Sequence, residues 1–211
     1  MAMTTIHLLR HGEVHNPRGI LYGRLPDFHL SENGLAMANR MAEVLGTGEY
    51  DIRAIVSSPL ERARETAGPL AEKLGLQVST DERVIEAGNQ LEGLKVDRTQ
   101  LARPNTITKL WNPFRPSWGE SYRAQTARMR AAVASLAQRV DGAHGVIVSH
   151  QLPIWVTRLE AEGRPLWHDP RKRECGLASL TSLTFDNGIL STISYREPVA
   201  NLYVSKAVPG A

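Results

Sequence analysis

The stretch Thr4-Thr5-Ile6-His7-Leu8-Leu9-Arg10-His11-Gly12-Glu13 decides how the rest of the chain is read. Thr4 to Leu9 is a short β-branched and aliphatic run, the pattern of a buried strand. It stops at a charged pair, and residues 11–30 then carry Gly12, Pro17, Gly19, Gly23 and Pro26, so they form a long loop. Long loops in compact domains commonly carry function. A buried strand that delivers an arginine and a histidine into such a loop is a candidate anion site.

Outward from that stretch, strands alternate with helices. Ser31 is placed to cap a helix through Leu35, Met41 and Leu45, ended by Gly46. Ile52 to Val56 reads as a second strand. After it, Ser58 is expected to cap a helix with Pro59 at its first position, running to Leu74 and Gly75. Gln77 to Thr80 is a short third strand, and residues 105–111 carry a weak helical pattern. A long helix is expected from about Glu120 to Val140, with Met129, Val133, Leu136 and Val140 spaced by three or four. Gly145 to Val148 reads as a strand and Pro153 to Glu162 as a helix. Ser179 to Phe185 and Ile189 to Tyr195 alternate around Asp186-Asn187-Gly188, a hairpin signal. The expected architecture is α/β in three layers: a mostly parallel sheet, helices on both faces and an antiparallel hairpin at one edge. No repeat or linker divides the 211 residues, so one domain is expected over 1–211, with 198–211 as a surface or mobile tail.

Composition narrows the function classes. Apolar residues make up 42% and charged residues 22%, a globular balance, and the formal charge is only +3. The densest basic run, Arg171-Lys172-Arg173, reads as a solvated loop, so no nucleic-acid partner is expected. No apolar run approaches a membrane span, and Ile6, Leu8 and Leu9 are too few for a signal-peptide core. With the lone Cys175, this predicts a cytoplasmic protein without a disulfide framework.

In a parallel sheet, ligands bind beyond the carboxyl ends of the strands. Three strands release reactive groups there: Arg10-His11-Gly12, Ser57-Ser58-Pro59 with Arg62 one turn on, and Ser149-His150. A phosphoryl group needs cations around its non-bridging oxygens, and arginine forks match those oxygens. Neutral imidazole is a competent nucleophile near neutral pH. A leaving alcohol needs a proton, for which Glu86, in Val84-Ile85-Glu86-Ala87-Gly88, is the best-placed carboxyl.

These segments together resemble the histidine phosphatase superfamily, the cofactor-dependent phosphoglycerate mutase-like proteins. Leu9-Arg10-His11-Gly12-Glu13 looks like its signature. Gly23-Arg24 through Asp27, Leu30 to Gly34, Ser57 to Thr66, Glu86 with Glu92-Gly93, and Val148-Ser149-His150 match further motifs in order. The resemblance implies a phosphoglycerate mutase-like fold, with His11 phosphorylated and Arg10, Arg62 and His150 clamping the phosphoryl oxygens. Glu86 would protonate the leaving oxygen and then activate water. No metal and no cofactor are implied. Asn16, Tyr22, Gly23 and Gln151 are assigned to substrate binding. Asn16 falls one position early for the family's asparagine, Leu91 replaces a common aromatic, and Gln151 stands where glycine is frequent.

The leading expectation is a phosphatase for small phosphomonoesters. A phosphoglycerate mutase and a catalytically silent phospho-ligand binder are the alternatives; the chain is compact for a mutase, and the complete residue set speaks against a silent binder. The sequence leaves a homodimer open. His7, His11 and His15 are spaced by four, but strand before and Gly-Pro loop after deny them one helical face. His7 is expected as a satisfied sheet residue, and His15, His29, His144 and His168 as surface groups. Glu13 is expected as a structural ion-pair partner, Cys175 as a buried thiol, and Trp111, Phe114, Trp118 and Trp155 as core or lid packing, the Pro-rich segment Trp111 to Trp118 being the candidate lid.

Overall fold

The computed structural model describes residues 3–95 and 119–203. The expected helix over 105–111 and the lid from Trp111 to Trp118 lie outside the described residues.

Six strands form one sheet. In chain order they are β1 (Met3–Arg10), β2 (Ile52–Ser57), β3 (Val78–Thr80), β4 (His144–Ser149), β5 (Leu180–Asp186) and β6 (Ile189–Arg196). Across the sheet the order is β3-β2-β4-β1-β5-β6, with the first four parallel and β5 and β6 antiparallel. The helices are α1 (Glu32–Leu45), α2 (Glu61–Leu74), α3 (Tyr122–Val140) and α4 (Gln151–Ala161).

Side-chain alternation explains the three layers. Along β1, Leu9 joins Met37, Met41, Leu45 and Leu70 of α1 and α2 in one core. Ile6 and Leu8, on the other face, join Met129, Val133, Leu136 and Ile154 of α3 and α4 in a second. Both sheet faces are therefore covered, which is why the central strands read as near-continuous apolar runs.

Local signals account for most boundaries. Ser31 caps α1 by accepting the Gly34 N–H, and Ser121 caps α3 by accepting the Ala124 N–H. Asn187 (φ 49°) and Gly188 (φ 80°) form the left-handed pair that a tight hairpin requires. Two expectations change. The α2 cap is Leu60 rather than Ser58, whose hydroxyl accepts the Leu60 N–H at 3.3 Å within the turn. The segment after Pro198 is docked as far as Tyr203: Val199 is fully buried, and the Tyr203 hydroxyl donates to the Leu177 carbonyl at 2.9 Å.

At the foot of the sheet, His7 bonds Ser182 Oγ at 2.8 Å and His144 Nδ1 at 2.9 Å. His7 is thus a satisfied sheet residue. His144, expected at the surface, is half-buried against it and against Tyr50. Burial holds the His7 imidazole down to about 3, so it stays neutral.

No helix among the described residues is long and apolar enough to cross a membrane.

Candidate active site

β1 and β4 lie side by side at the centre of the sheet, and the chain leaves them toward opposite edges, β1 to β2 and β4 to β5. The carboxyl ends of such a pair open a crevice. The His11 N–H donates to the Ser149 carbonyl and the Ser58 N–H to the Val148 carbonyl, at 3.1 and 2.9 Å. Three loop starts are thereby stitched together, and Arg10, His11, Ser58, Arg62 and His150 become buried neighbours.

His11 has no solvent exposure, and its Nδ1 lies 2.7 Å from the Gly12 carbonyl. A carbonyl only accepts, so Nδ1 carries the proton and the lone pair sits on Nε2. Burial, reinforced by the Arg62 and Arg10 charges, keeps the imidazole well below its usual range and therefore neutral. Its ring centroid is 5.2 Å from that of His150. In His150, Nε2 meets Ser58 Oγ at 2.7 Å. The Ser58 O–H has no other acceptor among the described residues, so it donates here, which puts the His150 proton on Nδ1. Burial, then the Arg62 charge, keeps this ring neutral too.

Each arginine spends only part of its fork on the protein. Arg62 Nη2 donates to the Gly23 carbonyl at 2.6 Å, and its guanidinium lies 4.8 Å over the Tyr22 ring. Arg10 Nη1 donates to the Cys175 carbonyl at 2.7 Å. Glu86 accepts the Ala87 N–H on Oε1 at 2.7 Å, and burial raises its pKa. What remains is one set of buried atoms: His11 Nε2, Arg10 Nε, Arg62 Nε and Nη1, His150 Nδ1 and Glu86 Oε2. None has a hydrogen-bond partner among the described residues. Unpaired buried polar atoms are rare in native proteins, so five side chains leaving them within one crevice mark a ligand site.

The assigned substrate residues divide. Tyr22 stacks on Phe28 with centroids 5.1 Å apart and lies 6.5 Å from the His11 ring, so it walls the crevice. Gly23 contributes its carbonyl to Arg62. Asn16 bonds Ile20 twice, donating to the carbonyl at 2.8 Å and accepting the N–H at 3.2 Å, and so pins the loop. Gln151 accepts from Arg173 Nη1 at 3.3 Å and donates to the Cys175 carbonyl at 3.4 Å.

Several supporting residues differ from expectation. Among the described residues Glu13 forms no ion pair; it accepts from Ser31 Oγ at 2.6 Å and Asn33 Nδ2 at 3.1 Å, which ties the signature loop to the start of α1. Arg24 was quoted only as part of a motif, yet its Nε donates to the Glu86 carbonyl at 2.6 Å and its Nη2 pairs with Glu120 at 3.0 Å. It holds the acid-bearing loop against α3. In the basic run, Arg171 and Lys172 are exposed, but Arg173 is partly buried and directed inward. His168, expected at the surface, is half-buried against it. Neither inward turn has a sequence signal, because a basic triplet looks the same whichever residue points in.

Close backbone approach fixes the signature loop on α1. A β-carbon at Gly12 would lie 2.7 Å from the Gly34 carbonyl oxygen, and one at Gly34 would run into the Glu13 carbonyl. Gly34→Ala, though helix-favouring by up to about 1 kcal/mol, is therefore expected to cost a net ~1–3 kcal/mol. Urea unfolding measures this; a midpoint at or above the unsubstituted protein's would contradict it.

Comparison with known proteins agrees with this geometry. The family model for the histidine phosphatase superfamily (branch 1) matches residues 6–197. An uncharacterised protein of Mycobacterium tuberculosis is 50% identical over 199 residues, covering 93% of this chain and 98% of that one. A protein named as probable phosphoglycerate mutase GpmB, of Citrobacter koseri, is 30% identical over 176 residues, covering 81% and 80%. Among solved structures, a mycobacterial glucosyl-3-phosphoglycerate phosphatase superposes with a TM-score of 0.73 at 30% identity, over 92% of this chain and 96% of that one. The chain belongs to the histidine phosphatase superfamily, whose members similar to it include both phosphatases and mutase-like proteins.

Proposed function

We propose that this chain hydrolyses small-molecule phosphomonoesters through a phosphohistidine formed on Nε2 of His11. The observation that carries the reading is the buried, unpartnered set: one lone pair, one carboxyl oxygen and several N–H donors, on five side chains close enough to act on one another electrostatically. Nε2 of His11 attacks phosphorus while the bond from phosphorus to the ester oxygen breaks. Glu86 Oε2 delivers its proton to that departing oxygen. Nδ1 keeps its proton, and the Gly12 carbonyl stabilises the imidazolium character that develops. The free N–H groups of Arg10 and Arg62 and the Nδ1–H of His150 receive the non-bridging oxygens, where charge concentrates during transfer. In the second half, water attacks the phosphohistidine, the carboxylate of Glu86 takes its proton, and neutral His11 is regenerated.

The glucosyl-3-phosphoglycerate phosphatase, similar over most of both chains, supports water as the acceptor. The mutase-named relative supports a second reading in which another hydroxyl takes the phosphoryl group. Both pass through the same intermediate, so one experiment tests the shared step and then the acceptor. Quenching in alkaline detergent within milliseconds of mixing with a labelled aryl phosphate is expected to trap about one acid-labile, base-stable phosphoryl group per chain, located at His11. Chasing with water is expected to release it as inorganic phosphate. Absence of label at His11 overturns the mechanism; efficient transfer from the labelled enzyme to 3-phosphoglycerate instead overturns the choice of acceptor.

A further inference from the structure

The segment that carries the acid has little structure of its own. From Ile85 to Gly88 the chain forms neither helix nor strand, and the Glu86 carboxyl takes one bond from the protein, the Ala87 N–H on Oε1. The place of Oε2 is therefore set by how the backbone around it is anchored. Three carbonyls bracket the carboxyl, those of Arg83, Glu86 and Gly88, and each is taken by a donor. Arg128 Nη1 donates to the first at 2.7 Å, Arg24 Nε to the second at 2.6 Å and the Glu120 N–H to the third at 3.0 Å.

All three anchors lead to Glu120, immediately ahead of the Ser121 cap of α3. Its Oε1 accepts Arg128 Nε at 2.8 Å, and its Oε2 accepts Arg128 Nη2 at 2.9 Å and Arg24 Nη2 at 3.0 Å. Isolated surface ion pairs contribute little, but a bidentate fork inside a network is the exception. Here the Arg128 and Glu120 side chains are only 15% and 20% exposed, so water competes weakly for them. Gln125 Nε2 donates to the Glu120 carbonyl at 3.0 Å, which fixes the residue against the first turns of α3.

Arg24 also reaches the proposed phosphoryl clamp. It follows Gly23, whose carbonyl takes Arg62 Nη2, and its own N–H donates to Glu92 Oε1 at 2.9 Å. One residue thus connects the clamp to the backbone of the acid, and Glu120 holds that residue from the α3 side. We infer that Glu120 is the positioning residue for proton donation: through Arg24 and Arg128 it sets the reach of Glu86 Oε2 to the departing ester oxygen. This rests on the phosphomonoesterase reading above, which makes Glu86 the donor.

Glu120→Gln keeps the shape but cannot neutralise two guanidiniums. For ethyl phosphate, kcat/KM is expected to fall about 10- to 100-fold, the scale on which a small misplacement of a reacting group acts, with the loss in kcat rather than KM. The rate of the nitrophenol burst from p-nitrophenyl phosphate, whose leaving group needs no proton, is expected to stay within about threefold. Arg10, Arg62, Arg173 and Tyr22 act on the Glu86 carboxyl and are unchanged in the variant. Burial is what raises the Glu86 pKa, so a loosened segment that admits water is expected to move the alkaline limb for ethyl phosphate to lower pH.

A double substitution separates positioning from general support. In a Glu86→Gln background, adding Glu120→Gln is expected to change kcat/KM for ethyl phosphate by less than about twofold, because its effect passes through the acid. Losses that multiply, or equal losses on both substrates, overturn the inference. If Glu120→Gln loses its near-ultraviolet circular dichroism, Arg24→Met decides by the same measurements, since it cuts the tether to the Glu86 carbonyl and leaves Arg128 paired with Glu120. Glu86→Gln alone reads the underlying assignment. Equal effects of that variant on the two substrates remove Glu86 as donor, whereas a leaving-group-dependent effect beside an indifferent Glu120→Gln removes only this inference.

Discussion

His11→Ala is expected to lower kcat for phenyl phosphate by about 10⁵-fold, the scale on which removal of a nucleophile acts elsewhere. Alanine deletes the one nitrogen lone pair among the described, buried and unpartnered atoms of the crevice. The donors of Arg10, Arg62 and His150 remain, so the variant is expected to keep binding inorganic phosphate and the loss to fall on kcat rather than KM. Assays in a chelator exclude metal-dependent contaminants. Activity within tenfold of the unsubstituted protein would remove His11 from the nucleophile's role.

Glu86→Gln separates proton donation from everything else. The amide keeps the shape and can still accept the Ala87 N–H, but it has no acidic proton. For an alkyl phosphate, whose leaving oxygen needs a proton, kcat/KM is expected to drop by about 10³-fold. For p-nitrophenyl phosphate the first step should fall far less, because nitrophenolate departs unassisted. Hydrolysis of the intermediate still lacks its base, so a burst of about one nitrophenol per chain should precede slow turnover. The pH dependence has a definite sign. Burial raises the Glu86 pKa, so alkyl-ester activity is present below that pKa and is lost as pH rises through it. His11 is held well below its usual range, so the acidic limb lies below 6.5. Glu86→Gln is expected to abolish the alkaline limb; an unchanged limb would assign it to another group.

The fold and the gathering of the buried arginines and histidines were legible because they depend on signals confined to short segments. The apolar run of β1, the Ser31 cap and the Asn187-Gly188 turn each act within a few residues. Arg10, His11, Arg62 and His150 were legible together because a parallel sheet gathers its strand ends at one edge. Ser58 misled because a serine before proline resembles a cap, whereas its hydroxyl orients His150 from 92 positions away. Asn16, expected as a ligand contact, also closes a local turn through its amide, which no residue beside it announces. His144 and His168 were read as exposed because nothing near them in sequence announces His7 or Arg173. Side-chain direction in loops depends on partners far along the chain, and that is where residue-by-residue reading stopped.

The central position of β1 bears on how the protein is made. β1 leaves the ribosome before both of its partners, β4 and β5, and its His7–His144 bond spans 137 positions. At roughly 5–20 residues per second of synthesis, Ile6, Leu8 and Leu9 wait about 7–30 s for the strand beside them. During that interval the nascent chain carries an unpaired apolar edge and an incomplete site, because His150, Arg173 and the Cys175 carbonyl have not yet emerged. His11 therefore stands without the neighbours that bury it until about residue 175 has been made, and synthesis halted before that point leaves β1 unpaired.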